Sequence, residues 1–270
     1  MFTVKGSTGY PVTYKKMKFS GGEIHVTLEG DVSYSQSFSI LAHLYSSDDI
    51  FELLLLVDAL RRARSLVPIY LILPYLPYAR QDRVCNPGEA LSLRVFCDLI
   101  NSMKFRSVEV WDVHSDVSLA LLDRVENVSS LKWLKCIDGL RENSYVLVAP
   151  DAGSIKKVYQ LSQELRLPFI TARKIRDIRT GEIIETKVDA EPMHSKNFLI
   201  VDDICDGGRT FIELSRRLKV LSTRCIDLYV THGIFSKGLG VFDGRIDRIY
   251  CPHVWPNVSN VTGSTILRRL

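Results

Sequence analysis

Several short segments of this 270-residue chain are apolar at nearly every position instead of at alternate ones. "YVLVA" (Tyr145–Ala149), "FLIV" (Phe198–Val201) and "IDLYV" (Ile226–Val230) are the clearest. A strand with one wet face alternates apolar and polar side chains, so unbroken Val, Ile and Leu runs require burial on both faces. A parallel sheet covered by helices meets that requirement, because each crossover between parallel strands is long enough to be a helix. Further strands are expected at Ile24–Leu28, Phe38–Ala42, Ile69–Leu73, Ser107–Val113, Phe169–Ala172 and Arg248–Cys251. Helices are expected between them, at Asp48–Ser65, Ala90–Ser102, Ile155–Leu165 and Thr210–Leu221. In the last, Phe211, Leu214, Leu218 and Leu221 form one apolar stripe. This alternation predicts an α/β fold with mostly parallel sheets. A break near Trp133–Asn143, where the polar "CIDGLRENS" (Cys136–Ser144) follows a helix-like segment, predicts two lobes, 1–134 and 135–270.

Composition excludes several classes of protein. The chain is 46% apolar and 24% charged, with a net charge of +4. That is ordinary for a soluble globular protein. Its basic residues scatter except around 173–179, so nucleic-acid binding is not expected. The six cysteines are far apart and form no CxxC pair, which suits reduced thiols. The N-terminus lacks the apolar core of a signal peptide. "LLLLVDAL" (Leu53–Leu60) is too short and too closely flanked by charge to span a bilayer. A cytoplasmic protein without membrane contact is expected.

One turn carries the chemistry. "FLIVDDICDGGRTFIEL" (Phe198–Leu214) runs from an apolar strand into Asp202, Asp203, Asp206, Gly207, Gly208, Arg209 and Thr210. Carboxylates so close together repel one another and do not favour a merely structural turn. Open α/β sheets bind ligands at the carboxyl ends of their strands. A helix N-terminus adds unpaired N–H groups and a positive dipole end that attract phosphate. Glycines let the backbone curl close to the anion, and the Thr210 hydroxyl adds a donor. The two leading carboxylates are then expected to meet ribose hydroxyls or hydrated Mg²⁺. The plainer alternative, Asp206 capping the helix, explains one aspartate of three.

"VDDICDGGRT" resembles the phosphoribosyl-diphosphate-binding motif of type I phosphoribosyltransferases and their relatives. "FSGGEIHV" (Phe19–Val26), "LPYLPYARQDRV" (Leu73–Val84), "WDVHSD" (Trp111–Asp116), "APDAGS" (Ala149–Ser154) and "THGIFS" (Thr231–Ser236) resemble, in order, blocks of the ribose-phosphate pyrophosphokinase family. The resemblance spans roughly residues 19–236. It implies two tandem phosphoribosyltransferase-like (type I) domains, with ATP blocks in 1–134 and the sugar site, diphosphate loop and mobile catalytic loop in 135–270.

It also implies transfer of the diphosphoryl group of MgATP to the C1 hydroxyl of ribose 5-phosphate. The implied ATP contacts are Phe19, Glu23, Arg80, Gln81 and His114, with Phe19 and Glu23 lent by a neighbouring subunit of a homo-oligomer. Asp202, Asp203, Asp206, Gly207, Gly208, Arg209 and Thr210 would hold ribose 5-phosphate. His114 and Asp151 would lie at the Mg²⁺. "ARKIRDIRTGEI" matches the mobile loop, with Lys174 and Arg176 as a catalytic pair beside His114. Without the resemblance, Lys174 to His194 reads as a flexible excursion or β-flap.

Four positions depart from the family pattern. Gly21 replaces an adenine-reading aspartate, Ser154 a glycine, Gly207 a threonine and Arg209 a glycine. Looser nucleotide selectivity and a reduced, unregulated enzyme are expected. A phosphoribosyltransferase would share the 202–210 turn but has no use for Arg80, Gln81 and His114. A catalytically silent nucleotide-binding relative that regulates an active partner would not need Lys174 and Arg176.

Overall fold

The computed structural model describes residues 2–140, 145–176, 183–188, 190–193, 196–221, 224–259 and 266–270, with the backbone alone at 174–176, 183–186 and 259. It divides into two units, Met1–Val128 and Ser129–Leu270. The division falls a few residues before the expected position. The short helix of Leu131–Leu134, with Trp133 and Leu134 buried, therefore belongs to the second unit.

The first unit runs β1 (Thr3–Gly6), β2 (Thr13–Lys18), β3 (Ile24–Glu29), β4 (Phe38–Leu41), α1 (Ser47–Ala63), β5 (Ile69–Leu73), α2 (Ser92–Ser102), β6 (Ser107–Trp111), α3 (Asp116–Leu121) and β7 (Val125–Val128). Its sheet has the order β1-β4-β5-β6-β7. β4 to β7 are parallel and β1 is antiparallel at one edge. Phe38, Ile40, Leu71, Leu73, Val108 and Val110 fill the core from the sheet, with Leu53, Leu56 and Leu60 of α1 against them. α1 starts at a capping box: the Ser46 side chain accepts from Asp49 N, and Asp49 Oδ2 accepts from Ser46 N at 2.8 Å. Such reciprocal bonds satisfy two otherwise orphaned donors.

β2 and β3 form a separate antiparallel ribbon. The sequence pattern missed β2, because "TYKKMK" is almost wholly exposed and offers no apolar alternation. Polar bonds tether it to α1. The buried Glu52 carboxylate accepts from Tyr14 Oη at 2.7 Å and from Lys16 Nζ at 2.5 Å, and Lys18 reaches Asp48 at 2.8 Å.

The second unit runs α4 (Leu131–Leu134), β8 (Tyr145–Ala149), α5 (Ile155–Leu165), β9 (Phe169–Arg176), β10 (Ile183–Val188), β11 (Asn197–Cys205), α6 (Arg209–Leu221), β12 (Ile226–Gly233), β13 (Arg248–Tyr250), β14 (His253–Val254), α7 (Pro256–Ser259) and β15 (Leu267–Arg268). The sheet order is β10-β9-β8-β11-β12-β13-β15, with β14 also on β12. Every pairing is parallel except β9 with β10. All five residues of β8 and all eight of β12 are buried, as unbroken apolar runs require. Both units are α/β with mostly parallel sheets.

β9 and β10 form the expected β-flap, with Thr186 opposite Lys174 and Ile183 opposite Arg176. Its tip, 177–182, lies outside the described residues, as does His194. All six cysteines are free, and Cys97, Cys205 and Cys251 are buried. Among the described residues, no helix is long and apolar enough to cross a membrane.

Candidate active site

β11 is longer than its apolar run. It continues through Asp202 and Asp203 to Cys205, because β12 stays in register beside it, Asp202 opposite Val230 and Cys205 opposite Gly233. The first two aspartates are therefore in the strand, not in the turn that follows. Backbone bonds fix their carboxyls: Asp203 N donates to Asp202 Oδ1 at 2.9 Å, and Ile204 N to Asp203 Oδ1 at 3.0 Å. The Asp202 carboxyl is held well above the ordinary carboxylate range, first by burial and then by the neighbouring Asp203 charge and a hydrogen bond with it. Asp151 pushes the same way, and Lys157 of α5 opposes. Two crowded carboxyls, one reluctant to ionise, suit hydroxyl donors or a hard cation.

The turn from Asp206 to Gly208 leads into α6. α6 begins at Arg209, and the carbonyl of Gly208 just before it accepts from Phe211 N and Ile212 N, each at 3.1 Å. Gly208 has φ +76°, the left-handed region that glycine enters without strain. A Cβ there would lie 2.5 Å from Cζ of the buried Phe242. Phe242 in turn meets Phe235 edge-on, with ring centroids 6.1 Å apart. Phe242 thus forms the floor of the turn, and Phe235 of the "THGIFS" block backs it. Cys205 O accepts from the N atoms of Ile234 and Phe235, and Asp206 O accepts from Ser236 N at 3.2 Å. Arg209 is turned along the helix, its Nε donating to Glu213 at 2.7 Å.

Asp151 follows β8 in the "DAGS" loop. Ser154 sits there with φ −84° and ψ −12°, a conformation open to any residue, so no glycine is needed. Its hydroxyl does not face outward to a ligand. It donates to Asp151 O at 2.8 Å, while Ser154 N donates to Asp151 Oδ1 at 3.3 Å. Lys174 and Arg176 lie on the backbone of β9, in the same sheet.

In the first unit, the "YARQDR" and "WDVHSD" segments meet. Ser115, buried beside His114, donates from Oγ to Asp82 Oδ2 at 2.8 Å, and Asp82 follows Arg80 and Gln81. Ser115 also caps α3 by accepting from Val117 N. Arg80, Gln81 and His114 are exposed around this bond. Both loops carry a non-glycine residue in the left-handed region, Tyr78 at φ 63° and Asp112 at φ 43°. Such conformations cost energy and collect at functional loops. Phe19 and Glu23 lie on the turn of the β2–β3 ribbon, with Phe19 N bonded to Glu23 O at 2.8 Å. A Cβ on Gly21 would meet the Glu23 carboxylate at 2.5 Å, so Glu23 occupies the space a side chain at 21 would take.

A family model of the N-terminal domain of ribose phosphate pyrophosphokinase matches residues 4–103, and a phosphoribosyl transferase domain model matches 125–245. The ribose-phosphate pyrophosphokinase of Pyrococcus furiosus is 30% identical over 234 residues, 84% of this chain and 81% of the relative. That of Thermococcus kodakarensis is 31% identical over 229 residues, 82% and 78% of the two chains. The chain belongs to the ribose-phosphate pyrophosphokinase family. The fold is similar to that of phosphoribosylpyrophosphate synthetase from Mycobacterium smegmatis, with a TM-score of 0.80, 22% identity, and coverage of 97% of this chain and 87% of the other.

Within this family frame, Lys157, the Asp82–Ser115 bond and the Phe242 floor are additions that the motifs did not single out. Lys157 could have been suspected from its place in the first turn of the helix after the Asp151 loop. The other two are contacts between distant segments.

Proposed function

We propose that the chain transfers the diphosphoryl group of MgATP to the C1 hydroxyl of ribose 5-phosphate, giving 5-phosphoribosyl 1-diphosphate and AMP. The observation that carries this is the arrangement at the end of β11: paired carboxyls, then a turn whose Gly208 opens a helix N-terminus. The first element suits vicinal ribose hydroxyls, and the second suits a phosphate. In the reaction the C1 hydroxyl releases its proton to water as its oxygen bonds to the β-phosphorus of ATP. The bond from that phosphorus to the α–β bridging oxygen breaks, and AMP leaves with the oxygen.

Each side chain then has a task. Asp206, Gly207, Gly208, Arg209 and Thr210 belong to the 5-phosphate subsite, and Asp202 and Asp203 orient the ribose hydroxyls. Arg80, Gln81 and His114 hold the ATP phosphates, with the Asp82–Ser115 bond keeping their two loops together. Phe19 and Glu23 receive adenine from a second copy in a homo-oligomer with shared sites. Lys174 and Arg176 neutralise charge that builds on the transferring group, which is where phosphoryl-type catalysis needs them.

Mg²⁺ is the cofactor in this scheme, with His114 and Asp151 assigned to the ion and the Asp202 and Asp203 carboxyls to the ribose hydroxyls. Among the described residues, no group of three or more His, Cys, Asp or Glu side chains is placed to hold a metal ion. When bound, the ion would neutralise phosphate charge. We place the enzyme in the cytoplasm, away from membranes and nucleic acid.

Nucleotide chromatography tests the reaction type. AMP should form only when MgATP and ribose 5-phosphate are both present. ADP as the product would mean transfer of a single phosphoryl group and would refute the proposal.

A further inference from the structure

The segment after β12 bears a cation beside the 206–208 turn. Three backbone bonds, Ile234 N and Phe235 N to Cys205 O and Ser236 N to Asp206 O, fasten this segment to the end of β11. Lys237 follows directly and is exposed. A Cβ on Gly207 would lie 3.7 Å from Lys237 Cγ and 4.0 Å from Ser236 Oγ. The lysine stem therefore runs alongside Gly207, and its ammonium lies three bonds further on. Because position 207 has no side chain, nothing of its own competes for that space.

Two cations stand near the turn, and they are differently committed. Arg209 is paired with Glu213 one helical turn along, with 81% of its side chain exposed. Among the described residues, no carboxylate is paired with Lys237. A lysine on a flexible stem is a strong point-charge donor for phosphate, and it adds to the backbone N–H groups and dipole of a helix start.

We infer that Lys237 binds the 5-phosphate of the sugar, supplying from the segment after β12 the charge that Arg209 gives to Glu213. It makes this site selective for phosphorylated over unphosphorylated pentose. The inference rests on the proposed role of the 206–210 turn and adds a residue to it.

The test compares the full-length protein with Lys237→Met, which keeps the apolar stem, and Lys237→Arg, which keeps the charge. Affinity for ribose 5-phosphate and for ribose is measured by calorimetry, and KM by product formation with MgATP. Loss of one charge-assisted bond is expected to weaken ribose 5-phosphate about tenfold in Lys237→Met. The loss should fall in KM for the sugar phosphate, leave KM for MgATP where it was, and be largely restored in Lys237→Arg. Equal sugar-phosphate affinity in wild type and Lys237→Met overturns the inference while leaving the site's role intact. A parallel loss for both substrates overturns it too, since that marks a structural effect. A wild type that binds ribose 5-phosphate no better than ribose overturns the role of the turn itself, and the inference with it.

Discussion

Replacing Gly208 by alanine should do more damage than its one added methyl suggests. The residue is at φ +76°, where an L side chain costs about 1–2 kcal/mol. The new Cβ would lie 2.5 Å from Phe242 Cζ and 2.9 Å from Cε1, contacts that force a ring or backbone shift. Phe242 is fully buried and packed against Phe235, so it cannot step aside freely. Overpacking of this kind costs about 1–3 kcal/mol. The total, about 2–5 kcal/mol, is a large part of an ordinary domain's stability. Gly207→Ala is the control: its Cβ would meet nothing closer than 3.7 Å, so a change within about 0.5 kcal/mol is expected.

Urea denaturation of both variants, and of Gly208→Ala combined with Phe242→Leu, separates the two causes. Leucine has no atoms where Cε1 and Cζ stand, so the combined variant should recover about 1–2 kcal/mol relative to additivity. The remaining loss is the backbone term. If Gly208→Ala proves as mild as Gly207→Ala, or if the two changes simply add, the ring does not shape the turn.

Two further outcomes concern Lys174 and Asp227. If Lys174 has the proposed role on the transferring group, Lys174→Ala should lower kcat strongly with little change in melting temperature, because a transition-state contact adds little to ground-state packing; a large fall in melting temperature would make the residue structural. Asp227 is completely buried, its Oδ2 accepting from Tyr145 at 2.6 Å while Oδ1 has no partner among the described residues. Burial raises this carboxyl, against the Tyr145 bond and the Arg248 charge. As pH rises through about 4, the unfolded chain loses this proton first. Stability therefore falls from there until the higher folded pKa is passed, and is flat beyond it. Asp227→Asn should remove that fall in denaturation curves taken across the range, and an unchanged pH dependence would contradict the assignment.

Much of the fold was legible because burial on both faces leaves a strong mark. Tyr145–Ala149 and Ile69–Leu73 carry their boundaries in their apolar runs. β11 outran its apolar run because pairing with β12 continues under polar side chains, which periodicity does not register. β2 escaped notice because polar bonds from Tyr14, Lys16 and Lys18 to α1 hold it, not an apolar face. In the site, the acidic turn and its glycines stand together in the sequence and point to their chemistry. Partners that come from afar do not. Phe242 lies under Gly208, Lys237 beside Gly207 and Ser115 against Asp82 only once the chain is folded. The direction of Arg209 was likewise hidden, since Glu213 claims it through a spacing that also looks like an ordinary helix surface pair.

In the proposed reaction the sugar's own C1 oxygen attacks the β-phosphorus of ATP. Ribose 5-phosphate labelled with ¹⁸O at C1, incubated with MgATP and the protein and followed by phosphorus NMR, tests it directly. The expected product is 5-phosphoribosyl 1-diphosphate with the label in the bridge between C1 and phosphorus, alongside unlabelled AMP. Product without the label would mean that diphosphate had displaced the C1 oxygen, as in phosphoribosyl transfer, and absence of the product would mean that the chain does not catalyse this reaction.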